Sequence, residues 1–369
     1  MTGRGLIVHE WIERVGGAER VLDEFAAMHP DADILCLWND HPDRYRAGRV
    51  HESPLARTPL RGRKAAAMPF MPSVWRRAAA ALGEHDWALV SSHLFAHQVR
   101  VAGVAPERQF TYAHTPARYL WSPELDERGR SLAARLAGPA FRRLDRARAS
   151  GIRNLAVNSV FVQERVRRTW GVESIVIHPP VDVRRVRDAV RATDAFTDAE
   201  RTVLDELPDD FVLGASRFVA YKRLDVVIAA GVATGRPVVI AGCGPDEARL
   251  RALAAASGAD VTFVTAPSDR LLACLLDRAA VLVFPGVEDF GILPVEAMAL
   301  GTPVLVSDIG GSRDSVSARS GVHLPDHDPV TLRSAVDAAV RLDPAACRRD
   351  ADRFAPERFR AEVTAWTGR

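Results

Sequence analysis

Short β-branched and aliphatic runs alternate along this chain with stretches whose apolar positions recur every three to four residues. The first half offers strands at 6–9, 32–38, 87–93, 109–114, 154–159 and 174–179. The second half offers them at 211–216, 237–242, 260–264, 280–285 and 303–307. Most are continuous apolar runs, the pattern of parallel strands covered on both faces. Amphipathic helices are predicted between them, for example at 18–28, 160–170, 224–233, 245–255 and 268–278. Strand–helix alternation run through twice predicts two doubly wound α/β units.

The 369 residues suit two domains rather than one core. After His178-Pro179-Pro180-Val181-Asp182 the apolar periodicity fades, and 184–209 is dense in charge. The expected division is therefore a first domain at 1–185, a second at 186–343, and C-terminal helices at 344–369, split near Pro356 and returning to the first domain. At 47% hydrophobic and 26% charged, the composition is that of a globular protein and excludes a disordered or collagen-like chain. No run of 18 apolar residues exists, which excludes a membrane-spanning helix. The opening residues lack the apolar core of a secretory signal. Cys36, Cys243, Cys274 and Cys347 show no paired spacing and read as small buried residues in a reducing compartment. The expected location is the cytoplasm.

A net charge of +2 hides an asymmetry. Residues 1–185 carry 28 Arg/Lys against 20 Asp/Glu, and the remainder carries 21 against 27. Between 53 and 83 there is no acid. Arg57, Arg61, Arg63, Lys64, Arg76 and Arg77 fall there, interleaved with Met68, Phe70, Met71 and Trp75. A second Arg-rich run spans 128–153. Two readings fit: solvated helix faces, or a surface for anionic lipid headgroups or a lipid-linked phosphate. No nucleic-acid motif appears. Lysine is rare, only Lys64 and Lys222, so a lysine in a loop suggests a need for a compact point charge.

Four stretches carry candidate chemistry. In 284–304 a strand ends, Glu288 sits in a loop, and a helix follows with Pro294 in its first turn and Gly301 at its stop. Ligands of open α/β sheets bind beyond the carboxyl ends of strands, and amides at a helix N-terminus receive anions. Glu288 and Glu296 could each accept paired bonds from a vicinal diol, as in a sugar nucleotide; a solvated acid and an ordinary helix acid are the plainer reading. In 214–224, Arg217 and Lys222 lie in a loop before a helix, where they could neutralise a diphosphate or simply be solvated. Gly16 and Gly17 open the first helix and permit close backbone approach to phosphate or sugar. His114 closes a strand, followed by Tyr119 and Trp121, and could bond a sugar hydroxyl or serve structure alone. No His/Asp/Glu group has metal-ligand spacing along the chain.

Together these residues resemble the retaining family 4 glycosyltransferases of the GT-B fold, over most of the chain. The spacing of Glu288 and Glu296, with Phe290-Gly291 between and the Arg217/Lys222 pair, carries the likeness most strongly. The stretches 114–121, 158–162 and 178–182 and Gly310-Gly311 resemble a branch that includes O-antigen mannosyltransferases using GDP-mannose. The likeness implies two Rossmann-like domains facing across a cleft. It also implies hexosyl transfer with retention, best matched by mannose passing from GDP-mannose to a polysaccharide or lipid-linked glycan. Arg217 and Lys222 would hold the diphosphate, Glu288 the donor sugar, Glu296 the ribose, and His114 the donor sugar from the first domain. Backbone at Gly16, Gly17, Phe290, Gly291, Ile292 and Leu293 would line phosphate and sugar. No cofactor and no metal are expected; the sugar nucleotide is a co-substrate. The expected partners are donor, glycan or glycolipid acceptor and an anionic membrane surface at 57–77, with no nucleic acid. Two departures stand out: Asp314 where the family usually has glutamate, and no glycine at 265–267. A sugar-nucleotide 2-epimerase on the same scaffold and a sugar-nucleotide-binding protein without catalysis are the alternatives.

Overall fold

The structure, a computed structural model, describes residues 3–14, 16–122, 132–191 and 196–368. In chain order its first part holds strands β1 (Gly5–His9), β2 (Asp33–Cys36), β3 (Val50–Glu52), β4 (Trp87–Ser92), β5 (Gln109–Ala113), β6 (Asn154–Val157) and β7 (Ile175–Val176). Its helices are α1 (Gly17–Met28), α2 (Lys64–Ala67), α3 (Met71–Ala78), α4 (Arg118–Trp121), α5 (Leu132–Ala149) and α6 (Val160–Thr169). The second part holds β8 (Val212–Ala215), β9 (Val238–Gly242), β10 (Val261–Thr265), β11 (Val281–Phe284), β12 (Val304–Ser307) and β13 (Gly321–Leu324). Its helices are α7 (Val183–Arg191), α8 (Asp198–Asp205), α9 (Leu224–Thr234), α10 (Glu247–Ser257), α11 (Asp269–Arg278), α12 (Ile292–Leu300), α13 (Ser312–Ser315), α14 (Pro329–Ala339) and α15 (Pro344–Ala351); α16 (Pro356–Trp366) closes the chain.

The chain forms two compact units, Met1–Pro180 with Pro356–Arg369, and Val181–Ala355. The sheets run β3-β2-β1-β4-β5-β6-β7 and β10-β9-β8-β11-β12-β13. Among the described residues their strand pairs are all parallel. Both are doubly wound Rossmann-like sheets, as the alternation predicted. The strands are apolar on both faces because helices cover both. Leu6 and Val8 of β1 enter one buried cluster while Ile7 enters the cluster on the opposite face. In β8, Leu213 and Val212 divide in the same way. In each sheet the order reverses beside the first strand, at β1/β4 and at β8/β11, and that is where such sheets bind ligands.

Two strands escaped the sequence reading. β3 and β13 are edge strands of three and four residues, half-exposed and carrying a histidine each. The charged segment after Asp182 is not featureless either. α7 presents Val183, Val186 and Val190 to the second core, and its Arg187 donates to the Ala299 carbonyl and pairs with Asp352. Residues 192–195 of that segment lie outside the described residues. α15 folds with the second unit, whereas α16 packs on the first: Phe359 stacks on Phe25 at 5.7 Å, and Trp366 meets Phe110 edge-on at 5.4 Å.

The basic stretch is less apolar-studded on its surface than its sequence suggests. Met71 and Trp75 are fully buried in the first core and Met68 packs against it, leaving Phe70 exposed. Arg61 pairs with Asp40 and Glu52, and Lys64 with Glu13. Arg57, Arg63, Arg76 and Arg77 are exposed. In the second run, Arg128 and Arg130 lie outside the described residues, and Arg148 donates to the Pro72 carbonyl and to Gln98. Cys243 is exposed in the turn after β9, unlike the other three cysteines, which are buried.

Candidate active site

In the second unit, two loops meet at the carboxyl ends of β8 and β11. Lys222 ends a 3-10 turn, Ala220–Lys222, that stops because Arg223 adopts a left-handed conformation at φ 56° and opens α9. This turn carries Lys222 Nζ onto Glu288 Oε1 in a half-buried ion pair, with Nζ 5.7 Å from the Phe284 ring centre. Gly286 allows the approach: a Cβ there would lie 3.2 Å from Lys222 Cα. Arg217 is exposed on the same loop and donates to the Tyr221 hydroxyl at 3.1 Å.

Glu288 is fixed from behind. Its carbonyl accepts from the Gly311 amide at 2.7 Å. Gly310 stands at φ 119°, and a Cβ on Gly311 would come within 1.8 Å of the Asp289 carbonyl oxygen, so only this glycine pair permits the contact. Gly291, at φ 91°, turns the chain into α12, and Gly301 at φ 100° ends it. Glu296 lies half-buried in the second turn of α12. The Phe290 ring is buried against Phe354, so this residue offers only its backbone; Ile292 and Leu293 are half-buried. Asp314 is half-buried in α13, the short helix that follows the glycine pair. At the turn where glycine was missing, Ala266 takes the left-handed conformation itself, at φ 46°.

In the first unit, Gly16 precedes α1 and Gly17 begins it. Glu19 is buried and folds back over this turn: a Cβ on Gly16 would lie 1.9 Å from its Oε2. Burial raises the Glu19 carboxyl above its ordinary range. His114 follows β5, half-buried, its Nε2 2.9 Å from Ser91 Oγ. The same Oγ lies 3.0 Å from His9 Nδ1. A hydroxyl has one proton and two lone pairs, so at most one of these imidazoles accepts from Ser91 and at least one donates to it. Burial, with His93 and His114 nearby, holds His9 well below its ordinary value.

Sequence spacing missed a group at the β1/β4 reversal. The β1–β4 register pairs His9 with Ser91, which brings His9 and Glu10 beside His93. One ligand-type atom from each lies within 4.8 Å of the others. Separated by more than 80 positions, these residues have no recognisable motif along the chain.

Residues 197–355 match the family model described as Glycosyl transferases group 1. The chain is 30% identical over 193 residues to a D-inositol 3-phosphate glycosyltransferase of Jonesia denitrificans, covering 46% of this chain and 42% of that one. It is 37% identical over 131 residues to a GDP-mannose-dependent alpha-(1-6)-phosphatidylinositol dimannoside mannosyltransferase of Mycobacterium tuberculosis, covering 35% and 32%. The chain thus spans less than half the length of these curated relatives. Among solved structures it resembles WaaG, a glycosyltransferase involved in lipopolysaccharide biosynthesis, with a TM-score of 0.68, 15% identity and coverage of 99% and 100%. The architecture is therefore the GT-B fold, and residues 197–355 of the second unit are similar to the group 1 glycosyl transferase model.

Proposed function

We propose that the protein transfers a hexose from a nucleoside-diphosphate sugar to a glycan or glycolipid acceptor with retention, as a family 4 enzyme close to the O-antigen mannosyltransferase branch. Mannose from GDP-mannose is the donor best supported by the sequence motifs and by the name of the mycobacterial relative. The observation that carries the reading is the Lys222–Glu288 pair at the β8/β11 reversal, beside Arg217 and the N-terminus of α12.

In this reading Arg217 and Lys222 neutralise the departing diphosphate, a stabilisation of developing charge worth about 10²–10³ in rate per donor. Glu288 binds hydroxyls of the donor sugar and keeps Lys222 in place before the donor arrives. Glu296 takes the ribose hydroxyls, and amides of 290–293 and Gly16-Gly17 face phosphate and sugar. His114 bonds a sugar hydroxyl. The acceptor oxygen forms its bond to the anomeric carbon on the face the diphosphate leaves. A diphosphate oxygen takes the acceptor's proton, so no protein nucleophile and no metal or other cofactor enters this step. The working location is the cytoplasm, with the exposed cations of 57–77 on the inner face of a membrane.

Thermal shift with GDP, UDP, ADP and their sugar conjugates tests the donor, because a ligand of the native state raises apparent stability. Selective shifts with GDP and GDP-mannose are expected; selective shifts with UDP forms would replace the donor. Lys222→Ala and Glu288→Ala are each expected to cost about 1.5–3 kcal/mol of transition-state binding in a transfer assay. Full activity in both variants would overturn the site.

A further inference from the structure

We infer that His9, Glu10 and His93 form a binding site for a divalent transition-metal cation of the zinc type. The three lie at the order reversal of the first sheet, just beyond β1 and β4. This is the position where open α/β sheets take ligands, and it corresponds to the Lys222–Glu288 position of the second sheet.

The local geometry argues for an ion rather than for hydrogen bonds. Glu10 Oε2 and His93 Nδ1 are 3.4 Å apart. That is long for a hydrogen bond. It matches the separation of about 3.3 Å between two ligands on a tetrahedral ion with bonds of about 2.0–2.1 Å. His93 Nδ1 and His9 Nε2 are both buried with no hydrogen-bond partner among the described residues. His9 is completely buried, so Nε2 is an orphaned polar atom in the interior. Its other nitrogen, Nδ1, is committed to Ser91, which leaves Nε2 to ligate.

Glu10 is a fully buried carboxylate, and its ion-pair partner among the described residues is His93, not an arginine or lysine. Its oxygens accept from the amides of His93, Leu94 and Ala96 and from the Ser92 hydroxyl. Those donors hold the carboxylate rigidly, as outer-shell bonds do for a metal ligand. Two imidazoles and one carboxylate are a zinc donor set, and three protein ligands leave a fourth position for water or an oxygen ligand. His93 keeps 22% of its side chain exposed, which gives the ion a way in.

The test uses the full chain, stripped with a chelator and then titrated with zinc chloride alone in equilibrium dialysis. One zinc per chain is expected, together with a rise in melting temperature and the intense visible absorption of a tetrahedral site when cobalt replaces zinc. His93→Gln, at a partly exposed position, and Glu10→Gln are each expected to weaken zinc binding by more than the about 10–100-fold typical of losing an outer-shell partner. Circular dichroism of both variants reports whether they fold, and His93→Gln keeps the test decisive if the buried Glu10→Gln does not. Failure of the wild type to retain zinc, or retention of the same zinc affinity in folded His93→Gln, would overturn the site.

Discussion

Asp145 shows how one side chain can organise a region. Fully buried on α5, it accepts from Trp121 and Trp170 at 2.8 Å each and from Gln98 at 2.7 Å, and it lies 3.1 Å from His97 Nε2. Burial alone would raise its carboxyl. The neighbouring His97 and bonds from His97, Trp121 and Trp170 outweigh that and hold it below the ordinary carboxylate range. Because the folded value is the lower one, this stabilisation is complete above about pH 4 and is lost as pH falls through that range. Asp145→Asn is expected to cost about 3 kcal/mol in urea unfolding, and to flatten the acid limb of the stability curve. The candidate donor residues were legible at this scale because Arg217/Lys222 and Glu288/Glu296 each sit in one short stretch. The His9–Glu10–His93 group was not, because only the pairing of β1 with β4 makes it local.

Strained backbone of the second unit lies in loops at both ends of strands: Asp210, at φ 53°, precedes β8, and two further residues follow strands. Arg223 and Ala266 both stand at positive φ without being glycine. Ala266 shares its turn with a hydrogen bond from its amide to the Gly242 carbonyl, and the fold holds it there. Ala266→Gly is expected to raise the stability of the second unit by up to about 1 kcal/mol, measured by hydrogen exchange, as the left-handed penalty is relieved. The buried strands were readable because their apolar runs are continuous. β3 and β13 were not, since edge strands need not be apolar on both faces. α7 was hidden for another reason: its valine stripe is narrow and set among arginines, two of which flank Val183 and Val186.

Across the whole molecule, charge of opposite sign is divided between the two halves of the sequence. In the first unit Arg57, Arg63, Arg76 and Arg77 are exposed near the exposed Phe70 in sequence, while Arg61 and Lys64 are engaged by acids of the same unit. The membrane reading therefore rests on the former. Reversing Arg63, Arg76 and Arg77 to glutamate is expected to weaken sedimentation with anionic vesicles by at least about 1 kcal/mol per cation. Binding that is unchanged would remove the membrane from the proposal. Among the described residues no helix is long and apolar enough to cross a bilayer.

The placement of α16 also sets an order of assembly during synthesis. Residues 181–355 are continuous, so the second unit has all its parts once they have left the ribosome. The first unit, made earlier, still lacks Phe359 and Trp366, which cover Phe25, Phe110 and Tyr112. At about 5–20 residues per second, that apolar surface waits on the order of ten seconds or more for its cover. The part translated first is thus the last to be completed, and its uncovered face is where a nascent-chain chaperone would find most to hold.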